Sequence, residues 1–478
     1  MNQKEQFQAL YQNLNTEQKR AVDTIEGPVL VIAGPGTGKT QILGARIGKI
    51  LLETDTAPEN ILCLTYTDAG AIAMRRRLLS FIGPDAYKVN IHTFHAFCNE
   101  IIQDNLFLFE KNSLDPISEL EQIQLLRQLT DSFPQKHPLK RYRSDAYFEV
   151  KNLRSLFSTM KREGYTPAFI ETKIDEYLEK IRTSDEYTYK KNGPGYKKGD
   201  PMQAKLEEQE GRMAKLRAAV NEFDNYQKLM HEKGRYNYDD MINWVIRAFT
   251  ENENLLRRYQ EKYQYILVDE YQDTSGTQNK VVELLINFWD NPNVFVVGDD
   301  DQSIYRFQGA GEDNMLDFAN SYIKDLQIVV LTSNYRSTQP ILDISKQLIS
   351  RNTGRLIYKM KGLSKDLVSS NQKIAHIRAL PLIREYETER AEMISIVSQI
   401  GQLITGGIHP GRIAVIYKEN KYGQELLAYF KLKRLPVYNK RNVNLLEDPL
   451  IRQLLLILRY LAAAHEYEVP FNGDEMLF

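Results

Sequence analysis

Short apolar, β-rich runs followed by helical patterns recur along the chain: Val29 to Ala33, Ile61 to Thr65, Tyr265 to Asp269, Val294 to Gly298, Ile328 to Leu331 and Ile413 to Tyr417. This alternation predicts parallel strands of α/β layers. Between about Ile101 and Lys233 the pattern changes to long, charge-mixed helical segments such as Gln203 to His231, with no buried-strand signal, and predicts a helical insertion within the first α/β domain. Inside it, TYKKNGPGYKKGDP from Thr188 to Pro201 sets glycine, proline and paired lysines against regular structure, so an exposed, mobile loop is expected. Leu445 to Ala464 is amphipathic and leucine-rich, but Arg452 and Arg459 interrupt it, which suits a packed helix and not a membrane span.

Composition narrows the class without deciding it. A chain of 478 residues has room for about three or four domains. Hydrophobic residues make up 42% and charged residues 26%, and no stretch is long and apolar enough to cross a bilayer. With 62 basic against 63 acidic side chains the net charge is −1, so any nucleic-acid contact must come from a local groove and not a globally basic field. The two cysteines, Cys63 and Cys98, and the polar start MNQKEQFQAL point to a reducing cytoplasm without a secretory signal.

The chemistry begins at Ala33 to Thr40, AGPGTGKT, directly after an apolar strand and before the helical run Gln41 to Leu52. Gly34, Pro35, Gly36, Thr37 and Gly38 form a loop whose glycines let backbone amides approach phosphate oxygens. Lys39 is placed to reach the terminal phosphates, and the Thr40 hydroxyl to ligate Mg²⁺. The general pattern opens on glycine, and alanine stands there in this chain.

ILVDEYQD, Ile266 to Asp273, puts Asp269 and Glu270 at the carboxyl end of a hydrophobic strand. In phosphoryl transfer the first carboxylate would hold Mg²⁺ and the second would orient and deprotonate the attacking water. Taken alone, two such acids are equally often solvated turn residues; the phosphate loop shifts the balance. VVGDDDQSIYRFQGA, Val296 to Ala310, and LTSNYRST, Leu331 to Thr338, also follow apolar strands, where an α/β enzyme places its chemistry. Gln302 is a candidate γ-phosphate sensor, and Arg336 a candidate arginine finger reaching in from a second domain.

These residues together resemble the UvrD, Rep and PcrA group of superfamily 1 helicases over essentially the whole chain. LNTEQKRAV, Leu14 to Val22, is similar to the group's Q motif, which implies that Gln18 reads the adenine edge. AGPGTGKT resembles motif I, ILCLTYTDAGAIAMRRRL motif Ia, IHTFHAF motif Ib, VDEYQDTS motif II, GDDDQSIYRFQGA motif III and SNYRST motif IV. The resemblance implies an α/β fold of RecA-like P-loop NTPase domains, parallel sheets flanked by helices, with helical inserted subdomains and ATP with Mg²⁺ between the two domains. On that scheme residues 1–105 with 232–320 are the first RecA-like domain and 106–231 its insert; 321–442 begin the second RecA-like domain and 443–478 its insert. Tyr335 matches the adenine-stacking tyrosine. The implied strand-binding surface maps onto Thr65, Tyr66, Thr93, His95, Tyr305 and Phe307. The implied partners are single-stranded DNA, junctions of single and double strand, and repair or replication proteins; the group moves 3′ to 5′. Aromatic faces on such a surface stack on any base at about 1 to 3 kcal/mol each, giving a sequence-tolerant grip.

The departures are informative. Gln41 stands where most relatives carry a base-packing arginine, Phe307 replaces the motif III tryptophan, and Gln308 replaces the arginine after it. No counterpart of motifs V and VI is visible before the final Met476, Leu477 and Phe478, so the chain reads as a fragment expected to bind nucleotide, hydrolyse it poorly and not unwind duplexes by itself. Two other readings use the same motifs: an ATP- and DNA-binding subunit of a helicase–nuclease complex without motor activity, and an RNA-directed motor. A metabolic kinase would need neither the Q-like segment nor the aromatic motif III. KKNGPGYKK, Lys190 to Lys198, offers a basic, aromatic loop to duplex DNA, although a solvated surface loop explains it more simply. If the smaller ring limits the grip, Phe307→Trp should bind single-stranded DNA more tightly than the parent in fluorescence anisotropy titrations; equal affinity would dissociate ring size from grip.

Overall fold

The structure, a computed structural model, describes residues 3–109, 115–140, 145–303, 314–360, 362–439, 446 and 448–465. It divides into two compact units at Leu380/Pro381. In the first, ten strands follow in chain order: β1 Val29–Ala33, β2 Ile61–Thr65, β3 Asn90–Thr93, β4 Asp115–Pro116, β5 Arg235–Tyr236, β6 Tyr265–Val268, β7 Val294–Gly298, β8 Gln327–Leu331, β9 Ser333–Asn334 and β10 Val368–Ser369. Six of them form one all-parallel sheet in the order β3-β2-β6-β7-β1-β8.

Why these runs form strands follows from their two covered faces. Leu30, Ile32, Leu62, Leu64, Ile266, Val268, Val294 and Val296 point into one core with helices Phe94–Asp104, Tyr238–Glu251 and Gly276–Ile286. Their neighbours Val29, Val31, Ile61, Cys63, Leu267, Phe295 and Val297 point into another, against helices Lys39–Glu53 and Asp68–Ile82. Side chains alternate across a strand, so two apolar faces require an unbroken apolar run. The expected strands at β1, β2, β6, β7 and β8 are present. β3 was not anticipated, because NIHT is short and half polar.

Three expectations differ. The first α/β layer does not stop at residue 320, because β8 pairs along its whole length with β1, from Val29 opposite Gln327 to Ala33 opposite Leu331. Ile413 to Tyr417 is not a strand; the second unit has no strand among its described residues, and its core is Met393, Val397, Leu426 and Phe430 between helices Glu389–Thr405 and Asn420–Leu432. An edge of five residues with no neighbour to take its backbone hydrogen bonds has nothing to hold it as a ladder. The loop Thr188 to Pro201 is exposed but closes on itself: Thr188 bridges Pro201, and the rings of Tyr189 and Tyr196 stack 3.6 Å apart. Leu445 to Ala464 is matched by helix Pro449–His465.

The insert is helical as expected, from Glu119–Ser132 to Phe223–Glu232, with its own core around Leu126, Phe157, Val220 and Tyr226. It leaves and rejoins the sheet layer at one place, where β4 and β5 pair in parallel. Lys161 fixes it further through a buried ion pair with Asp240, 2.8 Å long.

One buried cation ties the helices on either side of the loop 34–38 together. Arg46, 1% exposed, lies over the Phe295 ring and donates to the carbonyls of Ala21, Thr24 and Ile25 at the end of helix Thr16–Asp23. It thereby fastens the helix carrying Gln18 to the helix that begins at Lys39. Arg46→Met would leave these carbonyls without their donor, and we expect a loss of about 2–4 kcal/mol in chemical denaturation.

Candidate active site

All six strands of the sheet run the same way, so the segments that follow them arrive at one edge. After β1 comes the loop 34–38, in which Gly36 and Gly38 have φ of +69° and +93°. A Cβ at Gly36 would fall 2.5 Å from Cβ of Arg336, and one at Gly38 2.8 Å from the Gln18 amide. Only glycine leaves room for both neighbours and adopts the left-handed backbone without strain. Thr37 closes the loop by donating to the Gly34 carbonyl at 2.7 Å, and Gln18 donates to the Thr37 carbonyl at 2.8 Å. Helix Lys39–Glu53 then begins, with Lys39, Thr40 and Gln41 in its first turn.

Across the loop, Lys39 Nζ meets Glu270 Oε2 at 2.8 Å. Glu270 has φ of 49°, a left-handed value for a residue with a side chain, and strain of this kind clusters at functional sites. Gln272 donates to Glu270 at 3.0 Å and to Asp273 at 3.1 Å, and accepts the Asp299 amide at 2.9 Å. Gln302 donates to Oδ2 of the Asp299 carboxylate.

Charge is unevenly shared among these acids. Burial, followed by the charge of Glu270, pushes the Asp269 carboxyl up to about 7 despite the proximity of Lys39. Burial and Glu270 push Asp273 up to about 6. Burial acts to raise Glu270 as well, but Lys39, the Gln272 hydrogen bond and Arg336 outweigh it and hold the group below the ordinary range. Glu270 is thus the settled carboxylate, while Asp269 and Asp273 keep their protons to higher pH than an ordinary carboxyl and would ionise more readily beside another cation.

Arg336 approaches from within the same unit, not from a second domain as expected, because β8 delivers it beside β1. Asn334 organises its turn: Oδ1 accepts the amides of Arg336 and Ser337 at 2.9 and 2.7 Å, while Nδ2 donates to the Pro35 carbonyl. Tyr335 donates its amide to the Gly36 carbonyl at 2.9 Å, and its hydroxyl accepts from Asn15 at 3.0 Å. Gln18, Gln41 and Tyr335 therefore all abut the loop.

The comparisons with known proteins bear on this constellation. The UvrD/REP helicase N-terminal domain matches residues 14–323, and the UvrD-like helicase C-terminal domain matches residues 329–468. The chain belongs to the UvrD/Rep helicase family. It is 30% identical over 464 residues to the ATP-dependent DNA helicase PcrA of Staphylococcus epidermidis, covering 96% of this chain and 55% of the relative. It is 29% identical over the same length to PcrA of Staphylococcus aureus, with the same coverage. The chain therefore spans about half the length of these curated relatives. Membership carries the RecA-like α/β fold of UvrD/Rep proteins, in keeping with the parallel sheet.

A magnesium nucleotide fits the residues present. The cradle at Gly36 and Gly38 has no space for side chains, Lys39 pairs with no anion but Glu270 among the described residues, and Asp273 has a buried oxygen with no hydrogen-bond partner. Oxygen donors from Thr40 and Asp269 suit Mg²⁺.

The strand-binding candidates are placed unequally. Thr65 and Thr93 are register partners on β2 and β3, but only 2% and 9% exposed, and Thr93 accepts the Ala96 amide to cap helix Phe94–Asp104. His95 is half-buried 4.0 Å from Asp239 and edge-on to the exposed ring of Tyr238, and Tyr66 is half-buried at the end of β2. Tyr305 and Phe307 lie outside the described residues. Gln272 and Asn334 stood inside quoted motifs without a role; their signal is an amide side chain beside charged neighbours. No chemistry-bearing motif surrounds Lys365 and Arg355, which meet Asp301 at this edge.

The raised Asp269 value has a thermodynamic consequence. In the unfolded chain the carboxyl ionises near 3.9, in the fold near 7, so the folded state holds the extra proton between those values. Stability contributed by this group therefore falls as pH rises through that window and levels off above it. Without metal, Asp269→Asn should match the parent near pH 4 and exceed it by about 2–4 kcal/mol at pH 8, read from urea unfolding midpoints.

Proposed function

We propose that this chain forms the nucleotide-binding part of an ATP-driven DNA helicase or translocase, using ATP with Mg²⁺ at the carboxyl edge of the six-stranded sheet. The observation that carries the reading is the Lys39–Glu270 ion pair, 2.8 Å long, framed by the glycine loop, Gln272 and Arg336. As a triphosphate enters, Lys39 exchanges the carboxylate for phosphate oxygens. Glu270 is released in its charged form and can take the proton of an attacking water. Mg²⁺ held by Asp269 and Thr40 would supply the positive charge that offsets the phosphates. Gln302 and Arg336 face the terminal phosphate, Arg336 stabilising the charge that develops there. Gln18, Gln41 and Tyr335 border the place of the base.

Tyr66 and His95 are the described candidates at this edge for contact with single-stranded DNA, and Tyr305 and Phe307 are assigned to the same surface by the family resemblance. Stacking grips suit a motor that must pass every sequence. Direction 3′ to 5′, work at junctions of single and double strand, and unwinding are inferred from the same resemblance; the relatives, ATP-dependent DNA helicases, support the coarser helicase reading.

Steady-state ATP turnover with and without single-stranded DNA tests this reading, with Lys39→Ala as the blank. We expect stimulation by the strand and its loss to background in the variant. Binding of nucleotide and strand without stimulated turnover would favour the non-motor subunit of a helicase–nuclease complex.

A further inference from the structure

The turn after β7 places Asp299, Asp300 and Asp301 together, with one carboxylate oxygen of each close to the others. The space between them is taken by an ammonium group. Lys365, whose side chain is 2% exposed, reaches Asp299, Asp300 at 2.7 Å and Asp301 at 2.9 Å. Arg355 grips Asp301 with two parallel bonds of 2.7 and 2.8 Å, and the Leu356 amide donates to Asp300 at 2.8 Å. The trio thus reads as the anchor of a strap, Arg355 to Ser370, and not as a cation site.

Both ends of the nucleotide's terminal-phosphate region hang on that strap. At one end, Asp299 receives Lys365 on one oxygen and Gln302 on the other, while its amide donates to Gln272, which in turn donates to Glu270. At the other end, β10 pairs with β9, Ser370 donates its amide to the Asn334 carbonyl at 2.7 Å and Ser369 its hydroxyl to the Ser337 carbonyl at 2.8 Å. Those bonds flank Arg336. Leu367 packs against Gly34 of the phosphate loop, so close that a Cβ there would come within 2.8 Å of it.

We propose that Lys365 is a positioning residue for recognition of the terminal phosphate: by locking Asp299 to the strap it holds Gln302, Gln272 and, through β10, Arg336 at one mutual spacing. The inference rests on the nucleotide reading above. An apolar side chain could fill the same volume at lower desolvation cost; a buried ammonium shared by three carboxylates fixes direction as well as contact. Gln302 and Gln272, which it orients through Asp299, bear on the terminal phosphate, whereas the phosphates that a diphosphate shares with a triphosphate rest on the glycine loop and Lys39, which the strap touches from behind, through Leu367 at Gly34 and, by way of Asn334, at Pro35. Lys365 therefore bears on the difference between the two.

The test is the affinity of the full chain for ADP and for a non-hydrolysable ATP analogue, by calorimetry. Lys365→Arg keeps the charge and changes the geometry; the paired Lys365→Met with Asp300→Asn removes one charge of each sign and leaves no unpaired cation. We expect ADP affinity to stay within about twofold, while the preference for the triphosphate falls roughly tenfold, the scale of one lost charge-assisted bond. Unchanged preference in either variant overturns the proposal, and so does a parallel loss of both affinities, which marks a purely structural role. A parent that binds both nucleotides without preference overturns it too, leaving the nucleotide reading intact. A parent that binds neither removes both.

Discussion

A sheet whose strands all point the same way has one edge at which every strand ends, and the chain must turn there six times. Those turns cannot continue the ladder, so they hold the residues with freedom to differ. Here they hold the glycine loop, Asp269 and Glu270, the aspartate trio, the Asn334 turn, and the Thr65 and Thr93 ends of β2 and β3. The rest of the first unit is the means of keeping that edge straight. Helices on both faces bury the alternate side chains, and buried Arg46 pulls the Gln18 helix against the Lys39 helix.

Electrostatics explains why the edge is ordered before any nucleotide is considered. Acids gathered at strand ends repel one another, and burial removes the water that would screen them. Among the described residues three cations pair directly with these acids: Lys39 at Glu270, Lys365 at the trio, Arg355 at Asp301. The pairs differ in kind. Lys365 is enclosed and shared by three carboxylates, whereas Lys39 has one carboxylate partner among the described residues, and that partner, Glu270, is partly exposed. A site of this type needs one fixed cation and one that can be exchanged.

How much of this was legible in the sequence depends on how local the cause is. β1, β2, β6, β7 and β8 could be read because burial on two faces demands consecutive apolar residues. β3 escaped because its alternate positions, Asn90 and His92, are only half-buried at an edge. Ile413 to Tyr417 has the right composition, but a strand also needs a partner, and composition carries no partner. The phosphate loop and the acidic pair were visible because each is contiguous. Lys365 is separated from Asp299 by 66 positions in a stretch, KMKGLSKD, that resembles any solvated loop. Likewise Arg336 was expected from a separate domain, since only the pairing of β8 with β1 reveals which layer it belongs to.

The two-residue ladder of β4 and β5 has a different meaning. Because the insert departs and returns through adjacent backbone, with Asp115 donating to the Gly234 carbonyl and Ile117 to that of Tyr236, its removal leaves two ends already side by side. A short linker could join them without moving a strand of the main sheet. The insert is topologically a cassette. It is not a freely detachable one, because lifting it out takes Lys161 away from Asp240 and Glu163 away from the Gly276 amide. Any exchange of this cassette for another must therefore bring its own positive charge to the start of helix Tyr238–Glu251, or replace the aspartate it would strand.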